Sequence, residues 1–217
     1  MYLTRITLAG RVRTNDLLRH TGDMYREHQM LWKLFPEDPD ARRDFLYRKD
    51  ILYSRPRYFI LSERMPVHDL GLWRIDPPRE FAPRLRRGQR LQFSLRANPV
   101  VRVDGRRHDI VMHQKTALRA RNDEEAPPLG LLIHTAGAAW IDRQAERHGF
   151  AVLPESLRVD GYRQHRARQG ARRIRFSTLD FHGLLTVTDP DRFLAKLCAG
   201  FGAAKAFGCG LMLIRRP

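Results

Sequence analysis

A helix-period stripe set between two alternating segments constrains this chain more than any other feature. Met24, Tyr25, His28, Leu31, Trp32 and Phe35 recur at the i, i+3, i+4 spacing of one helical face. Asp23 follows the flexible Gly22 as an N-cap, and Pro36 forbids further helix. Upstream, residues 1–8 (MYLTRITL) alternate apolar and polar as a half-buried strand does. Downstream, Asp44 to Leu52 and Tyr58 to Arg64 are strand candidates joined by Ser54-Arg55-Pro56. Strand, helix, strand, strand is the opening of a split βαβ unit.

The rest of the chain repeats that theme. Residues 66–88 are irregular apart from Leu72 to Ile75, and Leu91 to Leu95 alternates again as the expected last strand of the first half. Pro99 to Val103 reads as extended chain or strand, with a turn at Asp104-Gly105. Ala136 to His148 reads as a helix with Thr135 as N-cap and Gly149 as its stop. Ser156 to Tyr162 and Arg172 to Thr178 flank a basic tip, and Phe181 to Thr188 is a further strand. Asp189-Pro190 opens a helix that Gly200 ends, and Leu211 to Ile214 closes as a strand. The order predicts an α+β fold of two tandem ferredoxin-like (RRM-like) βαββαβ domains, 1–97 and 98–217.

Charge narrows the function. Forty lysine and arginine side chains stand against twenty-four acidic ones, a formal net charge of +16, and all but five of the forty are arginine. Genomic base composition explains arginine over lysine, but not the surplus itself. Such a surplus predicts attraction to a polyanion, nucleic acid first and anionic membrane second. No run of about 18 apolar residues predicts a membrane span. The opening MYLTRITLAGRVRTND lacks the apolar core of a signal peptide. Cys198 and Cys209 are too few for a disulfide framework or a cysteine-based zinc site. The expectation is a reduced, cytoplasmic protein.

Three places are candidates for chemistry. Tyr25 and His28 share a helical face. His28 reads either as a core histidine satisfied by a backbone carbonyl or as a general acid or base. Gly200-Phe201-Gly202 and Gly208-Cys209-Gly210 form the second place, where paired glycines can take positive φ and their amides can cradle phosphate. Two tight turns would produce the same pattern. Neither a P-loop nor a dinucleotide fingerprint fits, because no Gly-Lys-Ser/Thr follows and a helix precedes the glycines. Lys205 lies between the pairs.

The third place is Tyr162 to Arg175 (YRQHRARQGARRIR). Arg163, Arg166, Arg168, Arg172, Arg173 and Arg175 stand there with His165 and no acidic residue. Such a run is either a solvated face or a hairpin whose like charges a polyanion neutralises. Arg84, Arg86, Arg87 and Arg90, then Arg102, Arg106 and Arg107, are more diffuse and fit general attraction to a phosphate backbone. The remaining histidines have no metal-ligand spacing, and neither HExxH, paired carboxylates nor a G-x-S-x-G elbow appears. The aromatic RRM signature is missing too, which gives no support to base stacking on an open sheet. No metal and no cofactor is expected.

Taken together, these landmarks resemble the CasE family of CRISPR-associated endoribonucleases, which process precursor RNA within the Cascade complex. MYLTRI, YREHQMLWKLFP, ARRDFLYR, SERMP, FSLRANPV, AWIDRQAERHGF, FHGLLTV and GFGAAKAFGCGLMLI fall in family order. HQMLWKLFP with RANP and the GFG…GCG loop is the specific part. The resemblance implies two ferredoxin-like domains, metal-independent cleavage beside a CRISPR repeat stem-loop, and retention of the mature crRNA beside other Cascade subunits. By motif position, the catalytic histidine falls on His28 and the active-site tyrosine on Tyr25. The RNA-gripping hairpin falls on Arg163, Arg166, Arg168, Arg172 and Arg173, and the glycine-rich loop on Gly202 and Gly208. Lys205 and Lys115 are the candidates for a catalytic lysine. A non-catalytic RNA-binding protein is the competing reading, and a small-molecule enzyme using the glycine loop is a third.

Overall fold

The computed structural model describes residues 1–10, 24–36, 44–67, 71, 73–120, 127–169 and 172–217. The expected Asp23 cap, the basic segment 11–20 and residues 121–126 lie outside the described residues. Strand β1 (Tyr2–Leu8) buries Thr4 and Ile6 on one face and exposes Arg5 on the other. The strands β2 (Phe45–Leu52), β3 (Arg55–Ser62), β4 (Trp73–Ile75) and β5 (Arg79–Glu80) complete an antiparallel sheet ordered β2-β3-β1-β4, with β5 also on β1. The helix α1 (Met24–Trp32) packs on the buried face. Ile6, Met30, Leu31, Leu34, Phe35, Phe45, Tyr47, Tyr58, Ile60 and Trp73 form this core.

Pro36 ends the helix as expected, but through a tightened turn. Leu34 N–H donates to Leu31 O at 3.2 Å and Phe35 N–H to Trp32 O at 3.1 Å, the i to i+3 pattern of a 3₁₀ turn. That turn carries Leu34 and Phe35 into the core beyond the last α-helical residue.

The second unit is built on β6 (Arg90–Ala97), whose Leu91, Phe93, Leu95 and Ala97 are buried in strict alternation. A small hairpin follows, β7 (Val100–Val103) and β8 (Arg106–Asp109), then α2 (Ile110–Ala120) and α3 (Leu129–His148). After β9 (Phe150–Val152) come β10 (Arg158–Gln169), β11 (Arg172–Val187), α4 (Pro190–Ala199) and β12 (Met212–Arg215). The sheet order is β10-β11-β6-β12, with β9 also on β11. Trp140 of α3 packs on Phe181 at 5.3 Å, and Phe150 on Phe193 of α4 at 5.0 Å. The fold is α+β, with two ferredoxin-like sheets of matching strand order. Among the described residues the first lacks a second helix.

Several elements differ from the sequence reading. Leu91 to Leu95 does not close the first sheet; Trp73–Ile75 does, and Arg90–Ala97 is the central strand of the second. By contacts one unit gathers Met1–Pro83, Arg166–Ile174 and Lys205–Gly208, and the other gathers Arg84–His165, Arg175–Ala204 and Cys209–Pro217. Alternation reports that one face is buried, not which strands pair with it. Of the expected Pro99 to Val103 segment, Val100–Val103 is a strand, one half of the small β7–β8 hairpin.

The helix expected from Ala136 begins earlier, at Leu129. Thr135 is no cap: its hydroxyl donates back to Leu131 O at 2.8 Å inside the helix. Gly149, in the left-handed region at φ 75°, ends that helix as expected. Asp189 accepts from Arg192 N–H at 3.1 Å with Pro190 in the first turn, also as expected. Pro154–Ser156 is a 3₁₀ turn before β10, and Arg172 to Val187 is one unbroken strand. An unexpected helix, α2, is capped by Asp109, whose Oδ1 accepts from Val111 and Met112 N–H at 2.8 and 3.0 Å.

Candidate active site

The helix α1 presents His28 half-buried against two aromatic rings. Its ring centroid lies 5.8 Å from that of Trp32, one turn on, and 5.7 Å from that of Phe45, nearly parallel at 25°. Phe45 is itself stacked on Phe35 at 5.2 Å. The imidazole therefore ends a three-ring stack whose packing sets its orientation. Tyr25 stands in the first turn of the same helix, and its side chain lies outside the described residues.

The neighbouring Glu27 faces the sheet, 5% exposed. Lys49 Nζ of β2 donates to its Oε1. Burial, and then the Glu27 charge, push the Tyr58 phenol far above its ordinary value of 10. A paired carboxylate in the first turn also suits the positive end of the helix. The helix carrying His28 is thus pinned to β2 by a mostly buried ion pair. Removing one partner would strand the other charge.

The glycine-rich loop does two separate things. In the first unit, the 3₁₀ turn Lys205–Phe207 packs against α1 and β2. Tyr47 Oη donates to Ala206 O at 3.2 Å. Gly208 has φ 78°, and a Cβ there would sit 3.0 Å from the Tyr47 ring. In the second unit, Gly202 has φ 72°, and a Cβ there would meet Asn98 O at 2.7 Å. Ala203 N–H donates to Asn98 O at 3.0 Å, while Asn98 Nδ2 donates to Ser177 O at 2.7 Å. Close packing and tight turns thus account for both glycines. Lys205 is half-buried on the turn against α1, while Lys115 lies on α2 in the second unit.

The arginine run is a hairpin, as expected, formed by β10 and β11. Arg163 and Arg166 are exposed; the side chains of Arg168, Arg172 and Arg173 lie outside the described residues. Its base is anchored. Arg96 grips Asp180 with two bonds of 2.7 and 2.8 Å. Tyr162 Oη donates to Asp109 Oδ2 at 2.9 Å, and burial pushes that phenol up to about 12. His165 stacks on Phe176 at 5.0 Å, with Nε2 at 2.9 Å from Thr178 Oγ1. Burial, then the charges of Arg96 and Arg163, hold its pKa below the ordinary value. His165 belongs to the hairpin's footing.

Sequence reasoning missed these supports. The Asp109 cap had a local signal, an aspartate before Ile110-Val111-Met112. The pairs Arg96–Asp180 and Glu27–Lys49 had none, being 84 and 22 residues apart. Among the described residues no group of three His, Cys, Asp or Glu side chains could hold a metal ion, and no helix is long and apolar enough to cross a membrane.

Over residues 1–216 the chain matches the family described as CRISPR associated protein. It belongs to that family. The CRISPR system Cascade subunit CasE of Escherichia coli (strain K12) is 28% identical over 214 residues, 98% of either chain. The CRISPR-associated endoribonuclease Cse3 of Thermus thermophilus is 27% identical over 232 residues, 99% of either chain. The structure of Cse3 bound to a 19-nucleotide RNA superposes with a TM-score of 0.76 at 26% identity, covering 99% of this chain and 100% of that one. Cas6e of Escherichia coli K-12, at TM-score 0.68 and 23% identity over the full length of both chains, shares the fold. The CasE resemblance read from HQMLWKLFP, RANP and the glycine loop is met by these relatives.

Proposed function

We propose that this chain is an endoribonuclease that binds the CRISPR repeat stem-loop, cleaves precursor crRNA and stays bound to the mature crRNA beside other Cascade subunits. One observation carries the reading: in a member of the CRISPR associated protein family, α1 holds a histidine whose ring orientation is set by Trp32 and Phe45. The relatives named as an endoribonuclease and a Cascade subunit support it.

The chemistry follows from the residues. The ribose 2′-hydroxyl beside the scissile phosphate attacks in line and gives up its proton. The 5′-oxygen leaves with a proton, so the ends are a 2′,3′-cyclic phosphate and a 5′-hydroxyl. Neither step needs a metal or an enzyme nucleophile. His28 transfers a proton, a contribution of about 10²–10⁴-fold. Tyr25 orients the attacking hydroxyl, and Lys205 on the turn against α1 steadies charge on the phosphorane. Arg163, Arg166, Arg168, Arg172 and Arg173 grip the stem-loop. Gly202 and Gly208 shape the loop that presents Lys205 to the RNA. Holding the reacting groups in line supplies much of the remainder.

The test is incubation with a labelled repeat stem-loop in excess EDTA, followed by analysis of the product ends. Cleavage to a cyclic phosphate is expected. A 5′-phosphate product, or strict dependence on magnesium, overturns the mechanism. The aromatic packing of His28 also suits a core histidine, and the second reading is then a non-catalytic RNA-binding or ribonucleoprotein scaffold protein. Tight stem-loop binding without cleavage would favour it.

A further inference from the structure

Among the described residues, the face of the first sheet turned away from α1 carries one aromatic ring, that of Phe59. Ile6, Tyr58 and Ile60 point into the core with the helix, so Leu3, Arg5 and Phe59 lie on the opposite face. Across three strands the register sets Arg48 opposite Phe59 and Phe59 opposite Arg5. The next row sets Asp50 opposite Arg57 and Thr7 opposite both Arg57 and Arg74. The Arg57 guanidinium lies over the Phe59 ring, 4.9 Å from its centroid. The β2 side of this face, with Leu46, Arg48 and Leu61, is buried. On the β1 side a cavity of about 300 Å³ remains, lined by Leu3, Arg5, Phe59, Asp76, Pro77 and Arg79.

This cavity holds more than apolar wall. Arg5 Nε donates to Asp76 Oδ2 at 2.6 Å, and Asp76 N–H donates to Arg5 O at 2.9 Å. Arg74 Nε lies 3.8 Å from Asp76 Oδ1. A half-buried phenyl ring backed by a cation is a stacking surface held in place before any ligand arrives. Arginines around it suit phosphates, while a carboxylate inside it repels them and accepts from an amino edge.

We propose that this cavity is a second RNA site, which takes one unpaired nucleotide beside the stem-loop. The base stacks on Phe59 and offers an amino group to Asp76, and Arg5 and Arg79 meet the flanking phosphates. Cytosine, adenine and guanine each carry such an amino group. Uracil does not, because carbonyls flank its N3–H. The choice of RNA as occupant rests on the function proposed above; the lining of the site includes neither His28 nor an arginine of the hairpin.

The test compares the full wild-type chain with Phe59→Leu, which keeps apolar volume but removes the ring, and Phe59→Tyr, which restores it. The probes are labelled r(C)8, r(U)8 and a blunt RNA stem-loop, and melting curves accompany each variant. Phe59→Leu is expected to weaken r(C)8 binding by about five- to a hundredfold and to leave the blunt stem-loop unaffected. Phe59→Tyr should recover the loss, and Asp76→Asn should narrow the preference for r(C)8 over r(U)8. Unchanged r(C)8 binding in folded Phe59→Leu, or an equal loss on both RNAs, overturns the site. So does competition by hexaglutamate as strong as by unlabelled r(C)8, which would mark an acidic peptide as the occupant. If the stem-loop is not bound while r(C)8 is bound and Phe59→Leu weakens that binding, the function proposed above fails and this site stands.

Discussion

Tyr47 and Ala206, 159 residues apart, are joined by a 3.2 Å hydrogen bond from the phenol to the backbone carbonyl. The bond ties a core strand to the turn that carries Lys205. The Tyr47 ring also lies 6.4 Å from Phe45, which stacks on His28. The candidate acid–base residue and the candidate cation are therefore held to one aromatic cluster.

Tyr47→Phe removes that bond and keeps the ring. The expected cost is about 0.5–1.5 kcal/mol of stability, with slower single-turnover cleavage and unchanged stem-loop affinity. Gly208→Ala should cost more, about 1–2 kcal/mol from its left-handed φ alone, because its Cβ also meets the Tyr47 ring. Chemical denaturation with parallel cleavage kinetics checks both. Wild-type stability in Gly208→Ala would show that this packing does not hold the turn.

His28→Phe keeps an aromatic ring against Trp32 and Phe45 but has no proton to transfer. It should melt like the wild type, bind RNA like the wild type and cleave at least about 10²-fold more slowly. His28→Ala should lose cleavage too, and also about 1–2 kcal/mol of stability, because it empties a half-buried place in the stack. A His28→Phe variant that cuts normally would make His28 a packing residue only.

Replacing Arg166, Arg168 and Arg172 with alanine should weaken cognate stem-loop binding by about 1–3 kcal/mol for each position that meets a base. Replacing Arg84, Arg86 and Arg87 should cost less and mainly flatten the salt dependence for all RNAs alike. Titrations against the stem-loop and a scrambled single strand at several salt concentrations separate the two. Equal losses on both RNAs from the hairpin variant would leave it a charged handle without selectivity.

The hairpin's footing should respond to pH. Burial, then Arg96 and Arg163, hold the folded His165 below its ordinary 6.5. The unfolded chain therefore takes up the proton first as pH falls. Stability from this group is complete above about pH 6.5 and declines as pH drops through that value toward the folded pKa. His148 is shifted in the same direction, by burial and then Lys196, Arg192 and Arg147. His165→Gln keeps a polar partner for Thr178 and cannot titrate. Its melting temperature should fall less than the wild type's between about pH 7.5 and pH 5.5. Identical slopes would show that His165 does not carry the effect.

What the sequence determined by itself is what a few neighbouring residues settle among themselves. The α1 stripe and its Pro36 stop, the Gly149 stop and the Asp189-Pro190 start were legible, because caps, prolines and periodicity act within one or two turns. The arginine hairpin was legible too, since its charges are consecutive along two adjacent strands. Tertiary structure alone decided which sheet receives Arg90–Ala97, because an alternating strand carries no mark of its partners. It alone brought Lys205–Phe207 against α1 and paired Glu27 with Lys49. It also set Phe59 beside the cavity on the β1 side of its sheet, although no aromatic motif marks that strand. Each of these is a contact between residues distant in sequence, and its energy exists only once the chain between them has folded.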